Sequence, residues 1–392
     1  MRPLARLSAA LRDPRADYWL LTLYASAAIV VTIQRGVFQF PNDYAIFRAS
    51  FWNLIQGRDL YVLRFDQAHD VFKYSPTFAL LFAPFALLPF ALGLMLWNFV
   101  NAMSLLLALR SLLPGEQARV AQALVFLPML RSMQSSQSNA LVSALLIFAF
   151  ICFEREWRVR GAFAVAIGAA IKIFPLAAVV FALSRPRKLR ALALSAAAGV
   201  ILLLLPLLAV GFQELLAQYR SWAALHGAET SQLGSSLMGV LHQAGLQWPA
   251  WMIQIVACGI VIGVLVARRD RWSDRNFQLQ YLALVLVFCV LFNHRSERQS
   301  SVIAVSGLVI WIIAAPRASW RTTLFVVAYS LVTLIGADLT PHFIKRALSP
   351  AARFAIPLGV AWLAILRDLV RPRRSKAREP ARTERFRNVA SL

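Results

Sequence analysis

Apolar blocks of roughly 16 to 22 residues recur along this chain, each the length needed to cross the hydrocarbon core of a bilayer, with short basic segments between many of them. Lipid offers the backbone no hydrogen-bond partner, so only helices or a closed barrel can occupy it. A transmembrane barrel would show short segments of alternating hydrophobicity instead. The 392-residue chain is 59% hydrophobic and 15% charged, where a soluble protein carries about a quarter charged residues. The pattern predicts an all-α polytopic integral membrane protein.

The net charge is +23, which in a soluble chain would suggest nucleic acid. Here the basic residues sit where membrane orientation signals belong. Arg2, Arg6, Arg12 and Arg15 precede the first apolar block. Arg185, Arg187, Lys188 and Arg190 form a second cluster, Arg268, Arg269, Arg271 and Arg275 a third. Arg367, Arg371, Arg373, Arg374, Lys376, Arg378, Arg382, Arg385 and Arg387 make a basic tail. No nucleic-acid recognition module accompanies them, so the charge points to anionic lipid. Cys152, Cys258 and Cys289 lie in apolar blocks with no disulfide or metal spacing. No small-residue cleavage site ends the first apolar run, which predicts an uncleaved signal anchor.

Two basic ends predict cytoplasmic termini and an even number of crossings, about 10 to 12, in the inner (plasma) membrane. A single transmembrane domain is expected over 1–370, with a basic cytoplasmic tail over 371–392. The segments 35–74 and 212–248 then become outer loops. Four apolar blocks fall between 75 and 153, although parity allows an odd number of crossings, so one must be half-inserted. The block 161–183 has cytoplasmic flanks on both sides and should break near Lys172 and Pro175 into two short helices or a re-entrant pair. In the first outer loop Tyr44, Phe47, Phe51 and Leu54 recur at helical spacing. That stripe predicts an interfacial helix lying on the membrane and ending at Gly57. Trp and Phe in the spans are expected to face lipid or its interface.

Polar chemistry is sparse and therefore conspicuous. Asp43 opens the first outer loop, and Asp59, Asp66 and Asp70 are rival carboxylates on it. The simplest role for Asn42 or Asp43 is a helix cap. Lys172 sits inside an apolar run, where a charge usually faces a cavity or snorkels to the interface. Gln134, Ser135, Ser136, Gln137 and Asn139 form a polar patch between blocks, suited to sugar hydroxyls or to a capped loop. His294, Arg295, Glu297 and Arg298 link two spans on the outer face, against the charge rule. That misfit points either to a phosphate contact, with Glu297 as a second acid or an orienting group, or to a solvated hairpin closed by an Arg–Glu pair. The remaining histidines show no metal-ligand spacing. No Walker signature appears, which argues against an ATP-driven transporter. A secondary transporter or lipid flippase would account for the spans but leaves the outer loop unexplained, and no matching broken-helix halves are visible.

Several motifs, in order, resemble those of glycosyltransferase family 87, polytopic GT-C-type enzymes that include polyprenol-phosphate-mannose-dependent mannosyltransferases. They are Asp43 followed by an aromatic helix and Gly57-Arg58-Asp59-Leu60-Tyr61, then Phe72-Lys73-Tyr74-Ser75-Pro76, Pro84, Leu88-Pro89 and Trp97-Asn98. Gln137-Ser138-Asn139 and Ile171-Lys172-Ile173-Phe174-Pro175 follow. The resemblance covers residues 18 to about 211 well and the C-terminal half by hydropathy alone. Ser136 stands where such proteins commonly carry Gly, and Phe292-Asn293-His294-Arg295-Ser296-Glu297-Arg298 departs from an expected Pro-containing stretch.

The resemblance implies a GT-C-like bundle with its site on the outer, periplasmic face of the membrane. It implies a polyprenyl-phosphate sugar donor, mannose first among candidates, a lipid or glycan acceptor, and inversion at the anomeric carbon. Asp43 is then the general base. Tyr74, Gln137, Asn139, Lys172, His294, Arg295 and Glu297 are the expected substrate-binding residues, with Lys172 at the leaving phosphate. No cofactor is expected, a divalent cation being left open. An oligosaccharide ligase or polymerase is the neighbouring alternative, but such enzymes tend to carry a long outer loop late in the chain.

Overall fold

A computed structural model describes residues 10–228, 236–294, 296–335 and 349–371. Its regular elements there are all helices. In chain order they are α1 (Ala16–Gly36), α2 (Asn42–Ile55), α3 (Pro76–Leu81), α4 (Ala83–Ala86), α5 (Phe90–Leu112), α6 (Gly115–Gln134), α7 (Asn139–Glu154) and α8 (Arg158–Ile171). A 3-10 stretch, Phe174–Ala182, leads to α9 (Lys188–Leu204), α10 (Phe212–Ala228), α11 (Leu237–Gln243), α12 (Ala250–Ala267) and α13 (Arg275–Leu291). The described part closes with α14 (Ser301–Ala314), α15 (Ser319–Tyr329), α16 (Pro350–Arg353) and α17 (Ala355–Val370). The chain is an all-α polytopic membrane protein.

Four helices are long and apolar enough to cross a membrane: Ala16–Gly36, Phe90–Leu112, Lys188–Leu208 and Ala250–Ala267. Three further apolar helices are shorter, Asn139–Glu154, Arg275–Leu291 and Arg298–Ala314. The α13–α14 hairpin forms the centre of the bundle, with Leu282 to Val287 and Val302 to Val305 closed off from the surface. The Lys188–Leu208 and Ala250–Ala267 spans lie at the periphery and expose Val200, Ile201, Leu208, Trp251 and Ile255, as lipid-facing surfaces do. Trp97 and Trp311 differ from the lipid-facing expectation. Both are buried in protein, because each indole N–H has a fixed acceptor there, Ser136 O and Asp368 Oδ2.

The apolar stripe on α2 also has a different destination. The helix forms over Asn42–Ile55, with Gly57 in the left-handed conformation at φ +64° just beyond it. Tyr44, Phe47, Phe51 and Leu54 are all buried, so the stripe is covered by protein rather than laid on the membrane interface. The cover is aromatic. Phe47 meets Phe78 at 5.2 Å, Phe82 at 5.5 Å and Trp97 at 5.8 Å between ring centres, all edge-on. The block 75–90 supplies that cover by breaking into α3 and α4. Pro76 and Pro84 sit in their first turns and Ser75 caps α3 through Phe78 N. Neither helix is long enough to cross, which accounts for the surplus block between 75 and 153.

The break predicted inside 161–183 is present. α8 stops at Ile171, Lys172 is extended (φ −144°, ψ 139°), and the 3-10 stretch resumes through Pro175. The three cysteines are free, as expected. The expected tail lies outside the described residues beyond Arg371, as do 229–235 within the second outer loop.

Gly93 fixes how closely α5 meets the α2 and α4 region. A Cβ there would lie 2.1 Å from the Tyr44 hydroxyl and 2.2 Å from Phe85 O, the two atoms that hydrogen-bond each other at 3.1 Å. Gly93→Ala must push the α4 backbone away and displace the Tyr44 hydroxyl, and overpacking of this kind costs about 3 kcal/mol. The expected result is a lower thermal midpoint in detergent, whereas Gly259→Ala, which meets open space, leaves the midpoint near wild type.

Candidate active site

Four separate chain segments deliver polar side chains to one point under α2. The turn between α6 and α7 is central. Gln137 N donates to Ser132 O at 3.0 Å, Trp97 Nε1 donates to Ser136 O at 2.8 Å, and Leu141 N donates to Asn101 Oδ1 at 3.1 Å. Gln299 Nε2 reaches Ser135 Oγ at 3.4 Å from the start of the α14 segment. The turn is buried among helices, so each of these bonds satisfies a group that has no water to turn to.

From that turn Gln137 Nε2 donates to Asp43 Oδ2 at 2.6 Å, and Gln137 Oε1 accepts from the Tyr74 hydroxyl at 3.1 Å. Asn139 Oδ1 accepts from Lys172 Nζ at 2.6 Å. Lys172 Nζ also lies 5.9 Å from the centre of the Tyr74 ring, within cation–π range. The break after α8 is what frees the lysine to turn inward, and Ser75 Oγ pins it by donating to Ala170 O at 2.5 Å. Tyr74 is held in turn by Tyr61, whose hydroxyl donates to Tyr74 O at 2.9 Å, and by the edge of Phe47 at 4.9 Å.

Asp43 lies in the first turn of α2 but caps nothing: the N-cap position is Pro41 and no side chain bonds the first amides. Asn42 is also engaged elsewhere, accepting from His69 N at 2.9 Å. Burial pushes the Asp43 carboxyl up from its ordinary 3.8 to about 6. The Glu297 charge pushes the same way and Asp70 adds to it, while the Gln137 hydrogen bond and the Lys172 charge pull down. Tyr74 is raised well above its usual value by burial, then by Asp43 and Glu297, so it remains a neutral donor.

The structure therefore brings Asp43, Tyr74, Gln137, Asn139, Lys172 and Glu297 into one electrostatic neighbourhood. His294 is not joined to it by any hydrogen bond among the described residues. Its Nε2 is buried without a partner, and burial lowers its basicity. Arg295 lies outside the described residues. The rival carboxylates are otherwise occupied or exposed. Asp59 accepts from Tyr61 N and from Ser221 Oγ, both at 2.9 Å, Asp66 is exposed, and Asp70 pairs with Lys73 at 2.8 Å.

Sequence reasoning missed Asn101 and gave Trp97 no role. The signal for Asn101 was an amide inside an apolar crossing. Ser136 carries a clearer one. It adopts φ +52°, a left-handed conformation in which a non-glycine residue is strained. That is the position where the resembled sequences commonly carry Gly. Its hydroxyl is buried with no partner.

A half-buried, ionisable carboxylate thus lies near a half-buried lysine within a helical membrane bundle. The family model for glycosyltransferase family 87 matches residues 72–293, more than half of the chain. The protein belongs to glycosyltransferase family 87 and is a membrane glycosyltransferase. No curated protein matches the chain.

Ser136→Gly should relieve the left-handed strain and remove an unpaired buried hydroxyl. The expected gain is roughly 0.5–1 kcal/mol, after allowing for the extra freedom of glycine in the unfolded chain. Thermal unfolding in detergent checks it, and a lowered midpoint would contradict the strain argument.

Proposed function

We propose that this enzyme moves a hexose, mannose first among candidates, from a polyprenyl-phosphate donor to a lipid or glycan acceptor on the outer face of the membrane. The catalytic unit is the single transmembrane domain over 1–370. Asp43 takes the proton of the acceptor hydroxyl. The acceptor oxygen then attacks the anomeric carbon from the face opposite the phosphate. The bond from that carbon to the phosphate oxygen breaks, and polyprenyl phosphate leaves with the electron pair. One displacement gives inversion. Lys172 supplies positive charge for the leaving phosphate, and Tyr74, Gln137 and Asn139 offer neutral hydrogen-bonding groups to sugar hydroxyls.

The observation that carries this reading is the state of Asp43. One of its oxygens is fixed by Gln137, no hydrogen bond to the other is seen among the described residues, and its acidity is tuned close to neutral pH. A general base works best with a pKa near the working pH. A lipid-linked donor needs no soluble nucleotide, in keeping with a chain that carries no phosphate-binding glycine loop.

Purified protein assayed with synthetic polyprenyl-phosphate mannose and a membrane lipid extract tests the reading. Asp43→Asn should lower transfer at least about 100-fold. The substitution removes a half-buried charge and keeps an oxygen for Gln137, so its thermal midpoint should stay level or rise. Full turnover by Asp43→Asn would move the base elsewhere.

The pH profile has a defined sign. A base must be ionised, so kcat/KM should be present above about pH 6 and be lost as pH falls through that value. Glu297→Gln removes a charge that raises Asp43, so the acid limb should move to lower pH. A limb that stays in place or moves up would separate Glu297 from the base.

A further inference from the structure

α10 grips the loop that leads to Tyr74. One side of this helix is turned to protein: Leu215 and Gln218 are buried, and Ser221, Trp222 and Leu225 are half-buried. Phe212, Gln213, Ala217 and Arg220 lie exposed on the other side. The Tyr219 hydroxyl anchors the helix by donating to Leu203 O, at the end of α9, at 2.8 Å. An amide as deeply buried as that of Gln218, 2% exposed, must find its partners in protein. It finds them in the backbone of the loop after α2. Gln218 Oε1 accepts from Leu60 N at 3.0 Å, and Nε2 donates to Arg58 O at 3.0 Å. Glu214 Oε1, one turn earlier on α10, accepts from the same Nε2 at 2.6 Å and so orients the amide. Four residues beyond Gln218, on the same face, Trp222 Nε1 donates to Lys73 O at 3.2 Å. The helix thus holds the loop at its beginning and at its end.

Both grips lead to Tyr74. Lys73 O is the carbonyl just before it. Tyr74 O accepts from the Tyr61 hydroxyl at 2.9 Å, and Tyr61 directly follows the Leu60 amide that Gln218 holds. With two successive carbonyls fixed, the backbone at Tyr74 can turn little, and its ring is directed at the α6–α7 turn. There the hydroxyl donates to Gln137 Oε1 at 3.1 Å, and Gln137 Nε2 donates to Asp43 Oδ2 at 2.6 Å. The Tyr74 hydroxyl engages the oxygen end of the Gln137 amide, which leaves the N–H end for the carboxylate.

We infer that Gln218 and Trp222 are positioning residues for the transfer: α10 clamps the 58–73 loop so that Tyr74 is presented to Gln137 and, through it, to Asp43. Both act through Tyr74. The inference rests on the proposed roles of Tyr74 and Asp43 in sugar transfer and adds a second outer segment to the machinery.

The test uses the full chain in detergent. Trp222→Phe removes one N–H and keeps a ring beside Tyr219 and His226. Gln218→Leu fills similar space without the hydrogen bonds. Fluorotyrosine at Tyr74 reports the placement of the ring by fluorine NMR and needs no turnover. Its resonance should shift or split in both variants, while fluorotyrosine at Tyr281, which is tied to Val261 O in α12, should keep its resonance. Transfer from polyprenyl-phosphate mannose should fall at least about tenfold in kcat/KM in each variant, as misplacement of a positioned group does. In a Tyr74→Phe background either substitution should cost less than about twofold more, because residues that act through one group are not additive. An unmoved Tyr74 resonance in either variant, or a loss that multiplies in full with Tyr74→Phe, overturns the clamp and leaves the transferase reading intact. A resonance that moves without loss of turnover overturns the positioning role. Shifts at both tyrosines in both variants mark a general loosening of the bundle and count against the clamp. A shift confined to Tyr74, with no transfer by wild type from any donor, sinks the proposed reaction and leaves the clamp on Tyr74 standing.

Discussion

A polar turn buried inside an apolar bundle must find its own hydrogen-bond partners, and the α6–α7 turn organises the site by doing so. Water is not there to serve its amides and carbonyls, so Trp97, Asn101 and Ser132 serve them instead. Once the backbone is fixed, the side chains of Gln137 and Asn139 have little choice of direction. One meets Asp43, the other Lys172. Asp43 and Lys172 are thus both held from one turn, by residues two positions apart, although they lie more than a hundred positions apart in sequence. Preorganisation of this kind spares the enzyme reordering polar groups during reaction.

The charge balance around Asp43 follows from the same arrangement. Desolvation alone disfavours the carboxylate, and the neighbouring Glu297 disfavours it further. Lys172 and the Gln137 amide oppose both. A site with only the first pair would hold a neutral acid, and one with only the second would hold a weak base fixed far below neutral pH. With both, the carboxyl titrates near 6. Asp59 shows the contrast. It accepts hydrogen bonds from Tyr61 N and Ser221 Oγ, which makes it a tie between the loop after α2 and α10.

Much of the fold was legible because the bilayer permits so few structures. The apolar blocks, the basic flanks and the break at Lys172 each follow from backbone satisfaction in lipid. The stripe on α2 was visible by its spacing, but spacing cannot say whether lipid or protein covers an apolar face. The answer depended on α3 and α4, whose prolines split a block that hydropathy reads as one. For the site, Asp43, Tyr74, Gln137, Asn139, Lys172 and Glu297 were all named from sequence and motif order, and the structure places them together. The Asp43–Gln137 bond itself was not legible, because nothing local in either segment specifies the other. Asn101 was missed for the same reason. Its role depends on the amide of Leu141, a partner from another helix.

The two ends of α7 differ in their charged neighbours. Asn139 and Glu154 are separated by about 22 Å of helix. At the Asn139 end stand Asp43, Glu297 and Asp70, with Lys172 beside Asp43 and Lys73 paired with Asp70. At the Glu154 end, Arg275 pairs with Glu154 and also lies over the Phe150 ring at 5.5 Å, with Arg185 over the same ring at 5.8 Å. Arg155 and Arg160 lie over Trp157 at 5.2 and 5.0 Å. Guanidiniums spread over aromatic rings at a helix end, with exposed apolar helices alongside, are what the positive-inside rule places on the cytoplasmic side. In the proposed orientation the candidate site lies at the other end of the same helix. The basic cluster at the Glu154 end is in keeping with the proposed orientation.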